Sequence, residues 1–506
     1  MKKLTMLLAI AVLSMSNIMA QDISDALRFS QDEIQGSARF RALSGAFGAL
    51  GGDMSAVSIN PAGSAVFSRS HASISLSSLN TDNDISYFNG LSSSSDSKVD
   101  LHQGGAAFVF ANNNENSSWK KLVLSIAYDK TANYDDQWFA TGTNTNSIDN
   151  YFLAYAQGQR LDEISAFPGE SISEAYAEIG RFYGFGNQQA FLGYESFILE
   201  PTNNTDENTT YTSNIAPGTF NQEYDYIARG YNGKFTFNAA AQYNDKLYLG
   251  LNLNGHFINY ERFTRFTESN SNAGSLVTDV AFENNLLTTG NGFSFQLGAI
   301  LKLTKEFRAG FTYNSPTWFT IFEETSQNIA TSATDDDGSF NTFVNPEVIN
   351  IFPEYRLQSP GKITGSLAYV FSDRGLLSFD YSRRNYKNTK FRPTSDAFFA
   401  SQNAIMDDLF KIANTYRFGG EYKYKQFSFR GGYRFEESPY KDDSFYGDLT
   451  GYSLGLGYDF GNTRLDLTYD QAERTVNNEL FSVGLTDAAT LDTRNSNITL
   501  TLGFNL

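Results

Sequence analysis

The sequence predicts an all-β fold: a transmembrane antiparallel β-barrel of about fourteen strands, with an N-terminal hatch (plug) inside its lumen. Three observations predict it. From about residue 70 onward, apolar residues alternate with small or polar ones at a period of two, the signature of a strand with two unlike faces. The connections between these segments are long and short in turn. The stretch before residue 70 does not alternate and is rich in Gly, Ala and Ser.

The alternation is clearest in four places. Leu122, Leu124, Ile126 and Tyr128 form one apolar row, and Leu247, Leu249, Leu251 and Leu253 another. Tyr452, Leu454, Leu456, Tyr458 and Phe460 face away from Ser, Gly and Asp, and Leu465, Leu467 and Tyr469 face away from Asp466 and Thr468. Lipid on one side and a polar lumen on the other explains such rows better than a buried sandwich does. The segments run 69–82, 101–111, 119–134, 231–244, 246–268, 289–304, 306–326, 355–372, 375–391, 412–424, 426–437, 449–460, 462–475 and 493–506. Several exceed the roughly 9–11 residues that cross a bilayer and are expected to project beyond it.

Short connections fall at 112–118, Asp245, Lys305, Asp373 with Arg374, Lys425 and Gly461. Long ones fall at 83–100, 135–230, 269–288, 327–354, 392–411, 438–448 and 476–492. An even strand count with this sorting puts both termini on the short-turn side, the periplasm of a Gram-negative outer membrane. Phe and Tyr are abundant, at 44 and 29, while Trp is not, at 3; aromatic girdles at the two interfaces use such an excess. Most of the 10 prolines lie in loops or at strand edges, but Pro316 lies within a strand, which is therefore kinked or divided there. Helical faces are expected at 397–412 and, broken by Pro168 and Gly169, at 161–179. These loop helices read as folded-back covers of the barrel mouth or as an apolar entry groove.

Residues 1–20 read as a cleaved signal peptide: Lys2 and Lys3, the apolar run Leu4 to Leu13, and small Ala20 at the cleavage position. The run is too short for a spanning helix. The expected organisation is therefore a signal peptide at 1–20, a hatch at 21–68 and a barrel at 69–506. There is no Cys, so neither disulfides nor a lipoprotein anchor is available. The net charge of −18 disfavours nucleic acid, which needs clustered Lys and Arg.

Within the hatch, Ala42 to Leu50 suits a short helix that Gly51-Gly52 would end, and Asn60-Pro61-Ala62-Gly63 reads as a turn. Here the sequence resembles the FadL-type outer-membrane transporters of long-chain fatty acids and other hydrophobic compounds. The resemblance rests on Gly45 to Gly52, Asp53, and Ser55 through Gly63, with the Asn-Pro-Ala-Gly element as its hallmark. It implies a plugged barrel of about fourteen strands that passes hydrophobic small molecules without cofactor or energy source. The ligand is captured outside, held near the hatch and released sideways through the wall. The implied partners are that ligand and outer-membrane lipid, and the expected state is a monomer. The chain departs from the common barrel ending, since Leu506 is terminal and Phe504 stands two before it.

Phe40, Phe47, Leu50 and Met54 are the expected ligand-lining residues, with packing against the wall as the alternative role. Arg39 and Arg41 are the expected cations for an acid head group. No catalytic residue and no metal site are expected. His71, His102 and His256 are dispersed and lack the partners that nucleophilic or zinc chemistry needs. Thr334 to Gly338 carries three Asp but no terminal bidentate Glu, so a solvated loop is favoured over calcium. An open porin would lack the plug. An adhesin or receptor working through its long loops, or a purely structural barrel, is the alternative function.

Overall fold

The computed structural model describes residues 23–506 apart from 115 and 373. The expected signal peptide lies outside the described residues. Fourteen consecutive strands close into one antiparallel barrel. They are β1 (His71–Tyr87), β2 (Gly90–Ala111), β3 (Trp119–Asn133, resuming at Asp136–Asn144), β4 (Phe220–Tyr243), β5 (Leu247–Ser269), β6 (Val277–Lys302) and β7 (Phe307–Asn314 and Trp318–Asp335). The second half comprises β8 (Tyr355–Gln358 and Lys362–Phe371), β9 (Gly375–Asn385), β10 (Ile412–Tyr424), β11 (Phe427–Glu436), β12 (Leu449–Asp459), β13 (Thr463–Glu479) and β14 (Ala488–Asn505). β1 pairs along β14 from His71↔Asn505 to Ser86↔Thr490, which closes the cylinder and removes the free edges of an open sheet.

The outward faces carry the apolar rows. Leu249, Leu251 and Leu253 of β5, Phe293 and Leu297 of β6, Leu454 and Leu456 of β12, and Ile498 and Leu500 of β14 are all exposed. In water a band of this kind would be an aggregation surface, whereas hydrocarbon covers it. On the short-turn side Trp119 and Tyr243 meet edge to face at 5.1 Å, and Tyr422, Tyr424, Phe427, Tyr458 and Phe460 lie near the same level. On β5 the band runs from Leu247 to Phe257, and the strand continues well beyond it to Ser269.

Several expected long loops are strand extensions instead. The stretch 83–100 is the continuation of β1 and β2, which turn tightly at Phe88-Asn89. Ser, Asp and Asn dominate both faces there, so no apolar alternation marked it. Likewise 327–354 is largely a hairpin, with Gly338–Val344 pairing back onto β7. β7 is divided at 315–317, as Pro316 required, and β8 is divided opposite at 359–361. Serine hydroxyls patch both breaks: Phe295 N–H donates to Ser315 Oγ at 2.9 Å and Thr317 N–H to Ser359 Oγ at 3.0 Å.

The connection between β3 and β4 does fold into a cap. Its helices are α4 (Asp149–Ala156), α5 (Ile172–Phe182) and α6 (Phe185–Glu195). A capping box between Ser171 and Glu174 starts α5. Phe152, Tyr176 and Phe191 of the cap share one core with Phe220, Phe266 and Phe282 on the strand ends. The helix expected near 397–412 is present as α7 (Ala397–Leu409).

The N-terminal segment lies in the lumen as three short helices, α1 (Ile23–Arg28), α2 (Ala38–Ala42) and α3 (Ala56–Ile59), followed by a 3-10 turn at Pro61–Val66. This corrects the helix expected over Ala42 to Leu50. Ser37 caps α2, which ends at Ala42, and Ser44 and Gly45 then take positive φ. The N–H groups of Phe47 and Gly48 donate to Asp380 of β9, at 3.0 and 2.9 Å, and Phe47 N–H is shared with Gly45 C=O at 2.9 Å, so no helical turn continues there.

Candidate functional site

The plug is riveted to the wall by its own sequence motif. The Asn60 amide donates to Gly48 C=O at 2.7 Å and to Ala299 C=O of β6 at 3.1 Å, while its oxygen accepts from Ala62 N–H. Asn238, Asn252 and Gln296 on β4, β5 and β6 donate in turn to the carbonyls of Pro61, Val57 and Ser58, at 3.0, 2.9 and 3.0 Å. A tight turn with inward-facing carbonyls is thus matched by a ring of amide side chains. The inward-facing wall glycines have the same cause. A Cβ on Gly250 or Gly298 would run into Pro61 or Asn60, and one on Gly310 into Gly48.

The expected site residues separate into three groups. Phe47 and Met54 are packing residues in this structure: Phe47 is fully buried beside Phe40, with ring centroids at 5.6 Å, and Met54 packs with Ala107, Val123 and Ala240 of the wall. Arg39 and Arg41 already have carboxylate partners. Arg39 pairs with Glu421 of β10 at 2.9 Å, and Arg41 is held by Asp470 of β13 at 2.7 and 2.8 Å. A buried guanidinium needs such a partner to offset desolvation, which leaves little of either for a ligand. Arg39 and Leu50 line a cavity of about 210 Å³ at the short-turn end of the plug, and Phe40 lines a small lumenal cavity of about 90 Å³.

The larger lumenal cavity, about 350 Å³, lies between the plug and the cap-side wall. That volume falls in the range of small-molecule sites, roughly 300–1,000 Å³. One part of its lining is aromatic, with Tyr134, Tyr226, Tyr260, Tyr386 and Tyr446; another is charged, with Arg28, Arg41, Lys362, Arg384, Arg417, Arg434 and Arg474 set among the carboxylates Asp32, Glu33, Asp135, Asp136, Glu436 and Glu437. Residue-level reading of the hatch found Arg41 but missed the wall cations, because each sits alone on its own strand. The inward-facing alternation of β8 to β13 was the available signal.

Register makes the basic lining informative. Lys362 and Arg384 are directly opposed across β8 and β9, and Arg417 and Arg434 across β10 and β11. Like charges placed opposite one another destabilise a sheet unless something sits between them. For the first pair the plug supplies it: Asp32 bonds Lys362 at 3.1 Å and Arg384 at 2.5 Å. The second pair is less satisfied. Glu436 stands 3.7 Å from Arg417 and 3.5 Å from Arg434, and neither Nε of Arg417 nor Nε of Arg474 has a hydrogen-bond partner among the described residues.

A profile described as "Outer membrane protein transport protein (OMPP1/FadL/TodX)" matches residues 198–506. The chain belongs to this family of outer-membrane transport proteins. The match begins in the cap, so the role of Asn60 to Gly63 rests on the plug geometry. The FadL/TodX fold is also seen in solved structures. A Pseudomonas aeruginosa FadL homologue superposes with a TM-score of 0.55 at 11% identity, covering 94% of this chain and 99% of its own. The P. putida toluene transporter TodX gives 0.50 at 14% identity, covering 94% and 99%. No curated protein sequence matches the chain. The family assignment places the barrel in the outer membrane.

Proposed function

We propose that this FadL/TodX-family barrel takes up hydrophobic small molecules bearing an anionic head group, passively and with sideways release through the wall. The observation that carries the reading is the opposed and incompletely bonded Arg417–Arg434 pair, in a cavity that also presents five tyrosines. A ligand carboxylate there would do for Arg417 and Arg434 what Asp32 does for Lys362 and Arg384. Its apolar body would lie against Tyr134, Tyr226 and Tyr260, where burial of apolar surface is worth about 25 cal/mol per Å². The cation role expected of Arg39 and Arg41 thus passes to wall residues. Solved relatives include a toluene transporter, a neutral-hydrocarbon precedent; the opposed Arg417–Arg434 pair is what favours an acid here.

The proposed cycle makes and breaks no bonds and uses no cofactor. The working unit is a monomer in contact with outer-membrane lipid, supported by a barrel that closes on itself. The division into a cleaved signal peptide at 1–20, a plug at 21–68 and a barrel at 69–506 belongs to the same proposal.

Binding of a long-chain carboxylic acid and of its uncharged methyl ester to the detergent-purified protein tests the reading. The acid is expected to bind about tenfold or more tightly, as charge-assisted hydrogen bonds require, and Arg417→Gln with Arg434→Gln is expected to erase the difference. Equal binding of both by the unaltered protein would remove the head-group claim. Binding of neither would remove hydrophobic uptake.

A further inference from the structure

At one level of β10 and β11 the wall is no thicker than its main chain. Gly419 and Gly420 of β10 stand directly opposite Gly432 and Gly431 of β11. Alternate residues of a strand face opposite ways, so one glycine pair faces the lumen and the other the membrane. The lumenal pair, Gly419 and Gly432, has a packing cause: a Cβ on either would strike Leu43 or Ser44 of the plug. The membrane-facing pair has no such cause. A Cβ on Gly431 would find its nearest neighbour at 3.7 Å, an ordinary contact, and one on Gly420 would meet the flexible end of Leu377 at 3.2 Å. Glycine inside a strand weakens it, and marks places where another backbone or a ligand comes close. The plug is that neighbour on the inside.

On the outside the glycines floor a recess of about 540 Å³ in the lipid-facing surface, within the size range of small-molecule sites. One cross-strand row runs through Tyr369, Leu377, Gly420, Gly431 and Leu454, and it dips at the two glycines. Phe418 and Tyr433, themselves opposed, close the recess on the cap side. Gly420 is five residues before Lys425 in the short turn between β10 and β11. At about 3.3 Å per residue and a tilt of about 40°, that is roughly 13 Å along the membrane normal. The recess therefore lies at acyl-chain depth, within one leaflet of a hydrocarbon core about 30 Å thick.

The head-group level beneath it is the basic part of an acidic chain. The six short turns, each with three residues on either side, hold ten Lys or Arg and five Asp or Glu, whereas the whole chain has 38 and 56. The three turns that join β6 to β7, β8 to β9 and β10 to β11, counted the same way, hold six and two. Arg374 and Lys425 are exposed in the last two of these turns, at the feet of the strands that carry the recess. Of the two carboxylates, Glu306 accepts from Thr304 Oγ at 3.0 Å, and Asp373 precedes Arg374 in the sequence.

We propose that the recess holds one acyl chain of an anionic phospholipid from the leaflet on the short-turn side, with the phosphate of its head group between Arg374 and Lys425. Hydrocarbon covers the rest of the apolar band as readily, so removal of apolar surface from water gives this place no preference. What distinguishes it is close packing in a shaped recess together with head-group charge. The charge complementarity selects an anionic lipid over a zwitterionic one.

The test uses the full-length protein in mild detergent, offered phosphatidylglycerol and phosphatidylcholine with the same acyl chains, and counts bound lipid by native mass spectrometry. One phosphatidylglycerol per barrel is expected to be held about tenfold more tightly than phosphatidylcholine, since each basic residue near a lipid surface contributes up to about fivefold. Gly420→Leu with Gly431→Leu fills the recess from outside and is expected to abolish retention of that lipid. Gly255→Leu, on the lipid face of β5 with nothing within 4 Å of the new Cβ, is expected to leave it unchanged. Arg374→Gln with Lys425→Gln is expected to erase the preference between the two lipids. Equal retention of both lipids by the unsubstituted protein, a comparison that needs no variant, would overturn the head-group assignment. Retention that survives the filled recess would overturn the site. Dimers that the filled recess disperses would give the groove to a second copy of the chain and overturn the lipid as its occupant.

Discussion

Arg41 and Asp470 form a bidentate pair at 2.7 and 2.8 Å, joining the plug to β13 inside the lumen. Asp470 also accepts from Asn497 of β14 at 3.0 Å, so one plug residue is fixed to two neighbouring strands. A ligand head group offered to Arg41 would have to displace this pair, whereas Arg417 offers an unused donor nearby.

Arg41→Gln leaves a buried carboxylate short of its partner and is expected to cost about 3–5 kcal/mol of plug docking. Planar-bilayer recordings are expected to show small-ion openings that the unsubstituted protein lacks. A variant as silent as its parent would show that the plug does not depend on this pair.

The wall glycines make a graded prediction. Gly298→Val places side-chain atoms where Asn60 and Pro61 lie, and overpacking of this kind costs about 1–3 kcal/mol. Gly365→Ala meets nothing within 4 Å and is expected to change stability by no more than about 0.5 kcal/mol. Thermal unfolding in detergent should separate the two variants, and similar losses in both would contradict the docking role assigned to Gly298.

Glu268 makes the seating of the cap sensitive to pH. It lies on the cap-side extension of β5, outside the membrane-spanning part, and accepts from Ser147 Oγ at 2.5 Å and Ile148 N–H at 3.1 Å of the cap. Burial pushes its carboxyl up to about 7, more than those bonds pull it down. The folded value thus exceeds the unfolded one, about 4.3. The folded protein binds the proton more tightly, so seating is firmest below about pH 4 and weakens as pH rises toward 7. Hydrogen exchange across α4, corrected for intrinsic rates, is expected to be slower at pH 5.5 than at pH 8, and Glu268→Gln is expected to flatten the difference. A profile that keeps its slope in the variant would assign the effect to another group.

The membrane-spanning half of the barrel was legible because lipid enforces one rule along Leu247 to Leu253 or Tyr452 to Phe460: apolar out, small or polar in. That rule lapses above the membrane, where Ser92 to Ser97 face water on one side and charged neighbours on the other, so the extensions of β1 and β2 read as loop. In the hatch, Asn60 to Gly63 was legible as a turn. Its function as a rivet was not, because the partners Asn238, Asn252 and Gln296 lie more than a hundred residues away. The same distance hid the site. Arg417 and Arg434 become a pair only through strand register, and Arg39 and Arg41 lose their apparent freedom only when Glu421 and Asp470 are brought to them.

Native mass spectrometry of the protein from outer membranes in mild detergent tests the central claim most directly. The account predicts a co-purifying apolar acid that survives Phe47→Ala and is lost on Arg417→Gln with Arg434→Gln. A barrel that is empty as isolated, and that stays empty when offered long-chain acids, would contradict it.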